Sequence, residues 1–339
     1  MEITTRLQSR GIELSRIGLG TAPFGNLYRE VGDDGAAEAV VTAFEGGIRY
    51  FDTAPHYGLG LSERRLGRAL QQLPRDEVVV STKVGRLLRP NPDARGRDSD
   101  LFEVPDDLVR VWDFSAAGVR RSVEESLERM GLDRIDIVYL HDCDDHLEQA
   151  LTEGGPELSR MRDEGLIRAW GAGMNQAPAL ARIARETDAD VMMMAGRHTL
   201  LRQEGDELFA ACDETGVAVV AVGVFNSGVL AVEEPGADTH FDYAPVTPDV
   251  LERARAIAAV CREHGTTLPA AAIAFPLREH WVTAVALGVE DAGQVRENLA
   301  LAAQDVPEAL FEELNERGLV GGSRWTMSWD DETEGEAQA

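Results

Sequence analysis

Short β-branched and apolar runs alternate with longer amphipathic stretches along most of this chain. The strand-like runs cover residues 16–21, 50–53, 78–82, 135–141, 167–173, 191–195, 217–224 and 282–289. Between them, segments such as the one carrying Val119, Val123, Leu127 and Met130 repeat apolar residues at helical spacing. Gly46, Gly131, Gly165, Gly216 and Gly265 each follow such a segment, where a helix stop is expected.

Eight apolar strands alternating with helices predict an α/β protein with a parallel sheet, and eight is the number that closes a (β/α)8 TIM barrel. Residues 1–322 are expected to form one such domain and residues 323–339 an acidic, flexible tail. Two departures from the repeat stand out. The first fifteen residues, with a turn at Gly11, read as an N-terminal β-hairpin placed before the first barrel strand. Residues 86–113, rich in proline, glycine and charge, form a long loop after strand three, at the end of a barrel where active sites sit.

Composition narrows the function. The 339 residues are 44% hydrophobic, enough for a normal core, and carry a formal charge of −27. Such a surface repels nucleic acid and anionic lipid. No run is long and apolar enough to span a bilayer, and the start lacks a secretory leader pattern. Three cysteines, Cys143, Cys212 and Cys261, make no paired disulfide framework. A cytoplasmic protein is expected, of open oligomeric state. The histidines and carboxylates of 141–146 and the Cys261/His264 pair resemble metal ligands in spacing, but neither has the convergent set zinc requires. No metal is expected.

Lysine occurs once, at Lys83, in a chain that otherwise uses arginine for positive charge. An ammonium is a compact charge able to tune a neighbour's pKa, whereas a guanidinium is broad and planar. Lys83 ends the third strand-like run. Asp52 ends the second, Tyr57 lies just beyond it, and His141 ends the fourth. Strand C-termini converge at one barrel mouth, so these four can meet. Taken singly, they read as a turn residue, a rim aromatic, a surviving lysine and a loop histidine. Together they suggest proton transfer by a phenol: the ammonium lowers its pKa, a carboxylate holds the ammonium, and the histidine orients the reacting oxygen.

The stretch Arg49-Tyr-Phe-Asp-Thr-Ala-Pro-His-Tyr-Gly58, continuing through Gly67, closely resembles the signature of the aldo-keto reductases. Ser81-Thr-Lys-Val-Gly85 and Ile135-Asp-Ile-Val-Tyr-Leu-His141 match its next two motifs. The resemblance implies that Tyr57 is the acid/base, that Lys83 and Asp52 tune it, and that His141 positions the substrate. None of these carries hydride, so a nicotinamide cofactor is implied. The resemblance puts the dinucleotide across the barrel mouth, with Asn175 on the carboxamide, Asn226, Ser227, Gly228 and Leu230 over the pyrophosphate, and Thr21 and Asp52 among its further contacts. Phe225 is the candidate for stacking on the ring. Gly18-Leu-Gly20 does not continue as a Rossmann fingerprint.

Relatives that prefer NADP hold its 2′-phosphate with cations ahead of a final Glu-Asn. Here Glu297-Asn298 is preceded by Gln294, Val289 and Gly288 at those positions, with acidic Glu290 and Asp291 alongside. That favours NAD, with NADP possible. Surrounding motifs look most like the aldose-dehydrogenase branch. They imply a small sugar or aldehyde substrate, such as L-fucose, L-galactose or D-arabinose, oxidised at C1 to the lactone. His56, Trp112 and Asp113 are candidate substrate contacts. Pyridoxal oxidation, broad NADPH-dependent carbonyl reduction, and a regulatory barrel that only binds nicotinamide remain alternatives.

Overall fold

The computed structural model describes residues 4–321. Eight parallel strands close a barrel: Ile17–Gly20, Tyr50–Asp52, Val79–Val84, Ile135–His141, Ile167–Met174, Val191–Ala195, Ala218–Val222 and Val282–Gly288. Each pairs with its sequence neighbour, and the first closes on the last through Gly20 and Gly288. The expected (β/α)8 TIM barrel is therefore the observed fold. The acidic tail at 323–339 lies outside the described residues.

Side-chain alternation fills the barrel and its outer layer separately. Tyr50, Val79, Ile137, Tyr139, Ala169, Val191, Met193, Val220 and Ala284 form an interior cluster. Intervening residues such as Phe51, Val80, Val138 and Leu140 pack outward on the helices. This parity also places function: Asp52 continues the phase of Tyr50, Lys83 that of Val79, and His141 that of Ile137 and Tyr139. The helix Ala116–Met130 buries Val119, Val123 and Met130 and ends on Gly131 in the left-handed conformation.

The N-terminal segment differs from the expected hairpin. Arg6–Ser9 is one helical turn, started by a capping box in which Thr5 and Gln8 satisfy each other's backbone N–H groups. Leu7 and Ile12 join the interior cluster and so floor the barrel. A turn at Gly11 suggests a hairpin, but Thr5-x-x-Gln8 is a helix start. The long segment after strand three is an antiparallel hairpin, Arg86–Pro90 with Leu108–Trp112, in which Arg86 faces Trp112. A second small hairpin, His240–Phe241 with Ala244–Pro245, comes after strand seven.

One buried carboxylate ties the layers together behind the mouth. Glu63, on the helix Leu61–Leu70, is fully buried. It accepts from Thr82 Oγ1 at 2.7 Å, next to Lys83 on strand three, and from Arg129 Nε at 2.5 Å on the neighbouring helix. Removing one partner of a buried ion pair strands the other charge. Glu63→Ala should lower unfolding stability by about 3–5 kcal/mol, read as a shift in the urea midpoint.

Candidate active site

Asp52, Tyr57, Lys83 and His141 meet at the C-terminal mouth. Lys83 Nζ donates to Asp52 Oδ2 at 2.6 Å, to the Thr53 carbonyl at 3.0 Å and to Tyr57 Oη at 3.0 Å. All three donors of the ammonium are used, and the lysine is only 2% exposed. Asp52 Oδ1 accepts from Ser81 Oγ at 2.6 Å, which fixes the carboxylate from the adjacent strand. His141 stands edge-on to Tyr57, ring centres 6.1 Å apart.

Tyr57 is not on a strand, so its placement needs a rigid loop. Gly58 has φ +60°, and a Cβ there would lie 2.2 Å from the Gly25 carbonyl oxygen. A Cβ on Gly25 would meet the Tyr57 carbonyl carbon at 2.5 Å. The loops after strands one and two thus pack backbone against backbone, which only glycine allows. Beneath them the buried Ser62 hydroxyl donates to the Thr21 carbonyl at 2.6 Å and lies 2.9 Å from Thr53 Oγ1.

The electrostatics depart from the sequence reading in one respect. Lys83 does favour the Tyr57 phenolate, but burial of the phenol acts more strongly, and the net pKa of Tyr57 is raised. Burial also works against the Lys83 ammonium, yet Asp52 and Tyr57 outweigh it and raise its pKa. Tyr57 is therefore a phenol held by a permanent ammonium. His141 and His56 are pushed well below the ordinary histidine range, first by burial and then by Arg86 and Lys83, with Arg110 also acting on His56. Both are neutral imidazoles near pH 7.

The remaining candidates divide. His56 enters the cluster, with ring centres 5.9 Å from Tyr57 and 5.7 Å from His141. Trp112 lies at the edge, under the Arg86 guanidinium at 4.3 Å. Asp113 is turned away: its Oδ1 accepts from Ser115 N at 3.0 Å and Ser115 Oγ at 2.6 Å, at the start of the next helix. Asn175 comes after strand five, half-buried, with an amide that bonds to none of the described residues. Thr21 is buried, its hydroxyl 2.8 Å from both the Asp52 carbonyl and Ser62 Oγ.

After strand seven, Asn226, Ser227 and Gly228 all have positive φ. The Asn226 side chain accepts from Thr199 Oγ1 at 2.6 Å and donates to the Gly196 carbonyl at 3.3 Å, so it braces the loop. Leu230 is sunk in an apolar cluster, and Phe225 packs partly against both that cluster and the main core. At the far end, Gly288 ends strand eight, while Glu297 and half-buried Asn298 lie on the helix Ala292–Ala302. Gln294 Oε1 accepts from Glu290 N at 2.9 Å, and its amide donates to Glu290 Oε2 at 3.2 Å.

Several neighbours escaped the sequence reading. Arg29, from the loop after strand one, is ion-paired with Glu290, so this region holds a neutralised cation rather than none. Arg86 donates to His56 Nδ1 at 3.0 Å and pairs with Asp142, whose Oδ2 also lies 3.4 Å from His141 Nε2. Phe102, from the long hairpin, meets His56 edge-on at 5.3 Å. Tyr28 N bonds to the Leu101 carbonyl at 2.9 Å beside it, leaving an exposed tyrosine at the rim. Arg86 and Asp142 lie just beyond Lys83 and His141 in the chain, a proximity that could have flagged them.

The residues 141–146 form no metal cluster, and among the described residues no group of three or more His, Cys, Asp or Glu is arranged to hold a metal. His146 instead packs near Trp112 and Phe114, and His264 lies 2.6 Å from Glu313 Oε2. No helix among the described residues is long and apolar enough to cross a membrane.

Comparison with known proteins agrees with this geometry. The Aldo/keto reductase family model matches residues 16–317. D-threo-aldose 1-dehydrogenase of a Pseudomonas species is 49% identical over 315 residues, covering 91% of this chain and 96% of that protein. Pyridoxal 4-dehydrogenase of Microbacterium luteolum is 36% identical, covering 91% of this chain and 96% of that protein. Among solved structures, glycerol dehydrogenase of Gluconobacter oxydans shares the fold with a TM-score of 0.75 at 23% identity, over 96% of this chain and 99% of that one. The chain belongs to the aldo/keto reductase family of oxidoreductases.

Proposed function

We propose that this protein oxidises the anomeric carbon of an aldose to the lactone, using NAD, with Tyr57 as acid/base. The observation that carries this reading is the Asp52–Lys83–Tyr57 chain, 2.6 and 3.0 Å long, facing a neutral His141. The 49% identity to D-threo-aldose 1-dehydrogenase supports the substrate class. Pyridoxal oxidation is the second reading, on the 36% relative.

Members of this family work with a nicotinamide dinucleotide, and the mouth suits one. Gly20 and Gly288 present bare backbone at the closing seam, and the Asn175 side-chain amide bonds to none of the described residues. A nicotinamide held there would supply the acceptor for the C1 hydride. The chain supplies the rest. Tyr57 as phenolate takes the anomeric hydroxyl proton while C1–O becomes a double bond, and the product is a lactone. His141 holds that oxygen by a hydrogen bond. Lys83 stabilises the phenolate, and Asp52 keeps the ammonium in place.

Because the Tyr57 pKa is raised, the base form is scarce at neutral pH. Aldose oxidation should therefore climb with pH into the alkaline range, while reduction of the matching carbonyl, which needs the phenol, falls. Stopped-flow rates of both directions from pH 6 to 11 check this; a flat oxidation profile would remove Tyr57 from the reaction. Lys83→Met takes away the charge that opposes burial. It should cut turnover by about 10²–10⁴-fold and move the alkaline rise upward, with the thermal melt still cooperative.

Cofactor choice rests on the Glu290–Arg29 pair. Glu290→Gln should release Arg29 toward a 2′-phosphate and shift the NADP/NAD ratio of kcat/KM by about tenfold toward NADP. Equilibrium dissociation constants for both dinucleotides check the same shift without turnover. A wild-type preference for NADP would overturn the NAD reading. Screening L-fucose, D-arabinose, L-galactose, L-xylose and pyridoxal with NAD tests the substrate class; activity on none of the sugars would sink it.

A further inference from the structure

Beside the proton-transfer group lies a charged cluster that proton transfer does not require. Arg86, two residues beyond strand three at the start of the long hairpin, sends one nitrogen to His56 Nδ1 at 3.0 Å and another to the Asp142 carboxylate. Its guanidinium lies over the Trp112 ring at 4.3 Å. Asp142, directly after strand four, has φ +43° and is held there by its N–H to the Gly173 carbonyl at 2.9 Å. Its Oδ2 is 3.4 Å from His141 Nε2. The Arg86 side chain is 13% exposed and that of Asp142 39%, so the pair sits partly in water and partly in the wall of the mouth. A paired charge in a cleft is what a polyhydroxylated ligand needs.

An arginine can only donate, so His56 Nδ1 must accept. A neutral imidazole with Nδ1 as acceptor carries its proton on Nε2. Arg86 thereby fixes the tautomer of His56 and leaves an Nε2–H donor on the ring that neighbours both Tyr57 and His141. Asp142 supplies carboxylate oxygens able to accept hydroxyl protons. A donor and an acceptor side by side match the vicinal hydroxyls of a sugar ring.

We propose that His56 and Asp142, positioned by Arg86, form a polyol-reading subsite that grips ring hydroxyls of an aldopyranose remote from C1 while C1 lies at Tyr57. This rests on the aldose reading above and adds to it the residues that distinguish a sugar from a plain aldehyde. His56 and Asp142 touch the substrate; Arg86 acts through them. A site built to bond hydroxyls discriminates strongly against analogues lacking them, because its polar groups are then left unpaired.

The test uses the full-length protein and its Arg86→Met, Arg86→Lys and Asp142→Asn variants. For each, kcat/KM is measured for the best aldose, for its deoxy analogues, and for an aldehyde without hydroxyls such as propanal in the reductive direction. In Arg86→Met the aldose-to-propanal ratio should fall by at least about tenfold, mainly through KM, and the deoxy analogues should lose their penalty. Arg86→Lys keeps a charge but cannot bridge His56 and Asp142, so the ratio should fall there too. Nitrogen-15 spectra of the histidines give a readout independent of turnover. Wild-type His56 should show unprotonated Nδ1, and loss of the Arg86 charge should raise the ionisation of His56 and His141. Arg110, Lys83 and Asp142, which also face them, stay in place. Equal loss on aldose and propanal, or a His56 proton on Nδ1, overturns the subsite and leaves the dehydrogenase reading standing. A wild type that oxidises no aldose overturns both.

Discussion

A single buried ammonium sets the terms for this mouth. Taking a charged lysine out of water costs several kcal/mol unless its donors are met. Lys83 meets them with a carboxylate, a carbonyl and a phenol, one for each N–H. Three acceptors at these positions leave no room for the fork of five donors that an arginine carries. A chain that has otherwise abandoned lysine keeps one here because only that shape of charge closes the arrangement. Asp52 and Thr53 must end strand two at this height, Ser81 must hold Asp52, and the Gly25–Gly58 contact must hold Tyr57. Much of the local sequence is dictated by satisfying one cation.

The chain is most legible where periodicity alone decides the structure. All eight barrel strands can be read from it, because a fully apolar run between helical stretches is a strong signal, and their number implies closure. Asp52, Lys83 and His141 are legible because strand ends converge whatever the loops do, and Tyr57 is legible through the motif around it, its loop being held by Gly25 against Gly58. The N-terminal helix is hidden because a turn at Gly11 reads as the bend of a hairpin, although Thr5 and Gln8 form a capping box before it. Its place in the long loop suggests Asp113 as a substrate contact, but an aspartate two residues before a helix N-cap finds Ser115 before it finds a ligand. Arg29 against Glu290 joins loops from opposite ends of the chain, and nothing local announces such a pair.

The sign of the Tyr57 shift could not have come from residue types. An ammonium beside a phenol lowers its pKa, and burial raises it, so the outcome depends on how much solvent the fold removes. Here burial prevails for Tyr57, as it does for His141 and His56. For the histidines the nearby cations push the same way as burial. The result is a mouth in which positive charge resides on Lys83, Arg86 and Arg110 and the imidazoles stay neutral. A neutral imidazole can donate to a substrate oxygen without contributing a charge that would track pH near neutrality.

That balance also bears on direction. With Lys83 already committed to Asp52, the phenol of Tyr57 ionises only if further positive charge comes near or the solution turns alkaline. An oxidised nicotinamide is cationic and a reduced one neutral. On the proposed reading, the site would favour a phenolate with the first and a phenol with the second. The same residues would then present a base for oxidation and an acid for reduction, without any of them moving. Burial that keeps Tyr57 protonated in the free protein is what makes it responsive to the charge of its neighbour, since an electrostatic effect weakens as solvent enters.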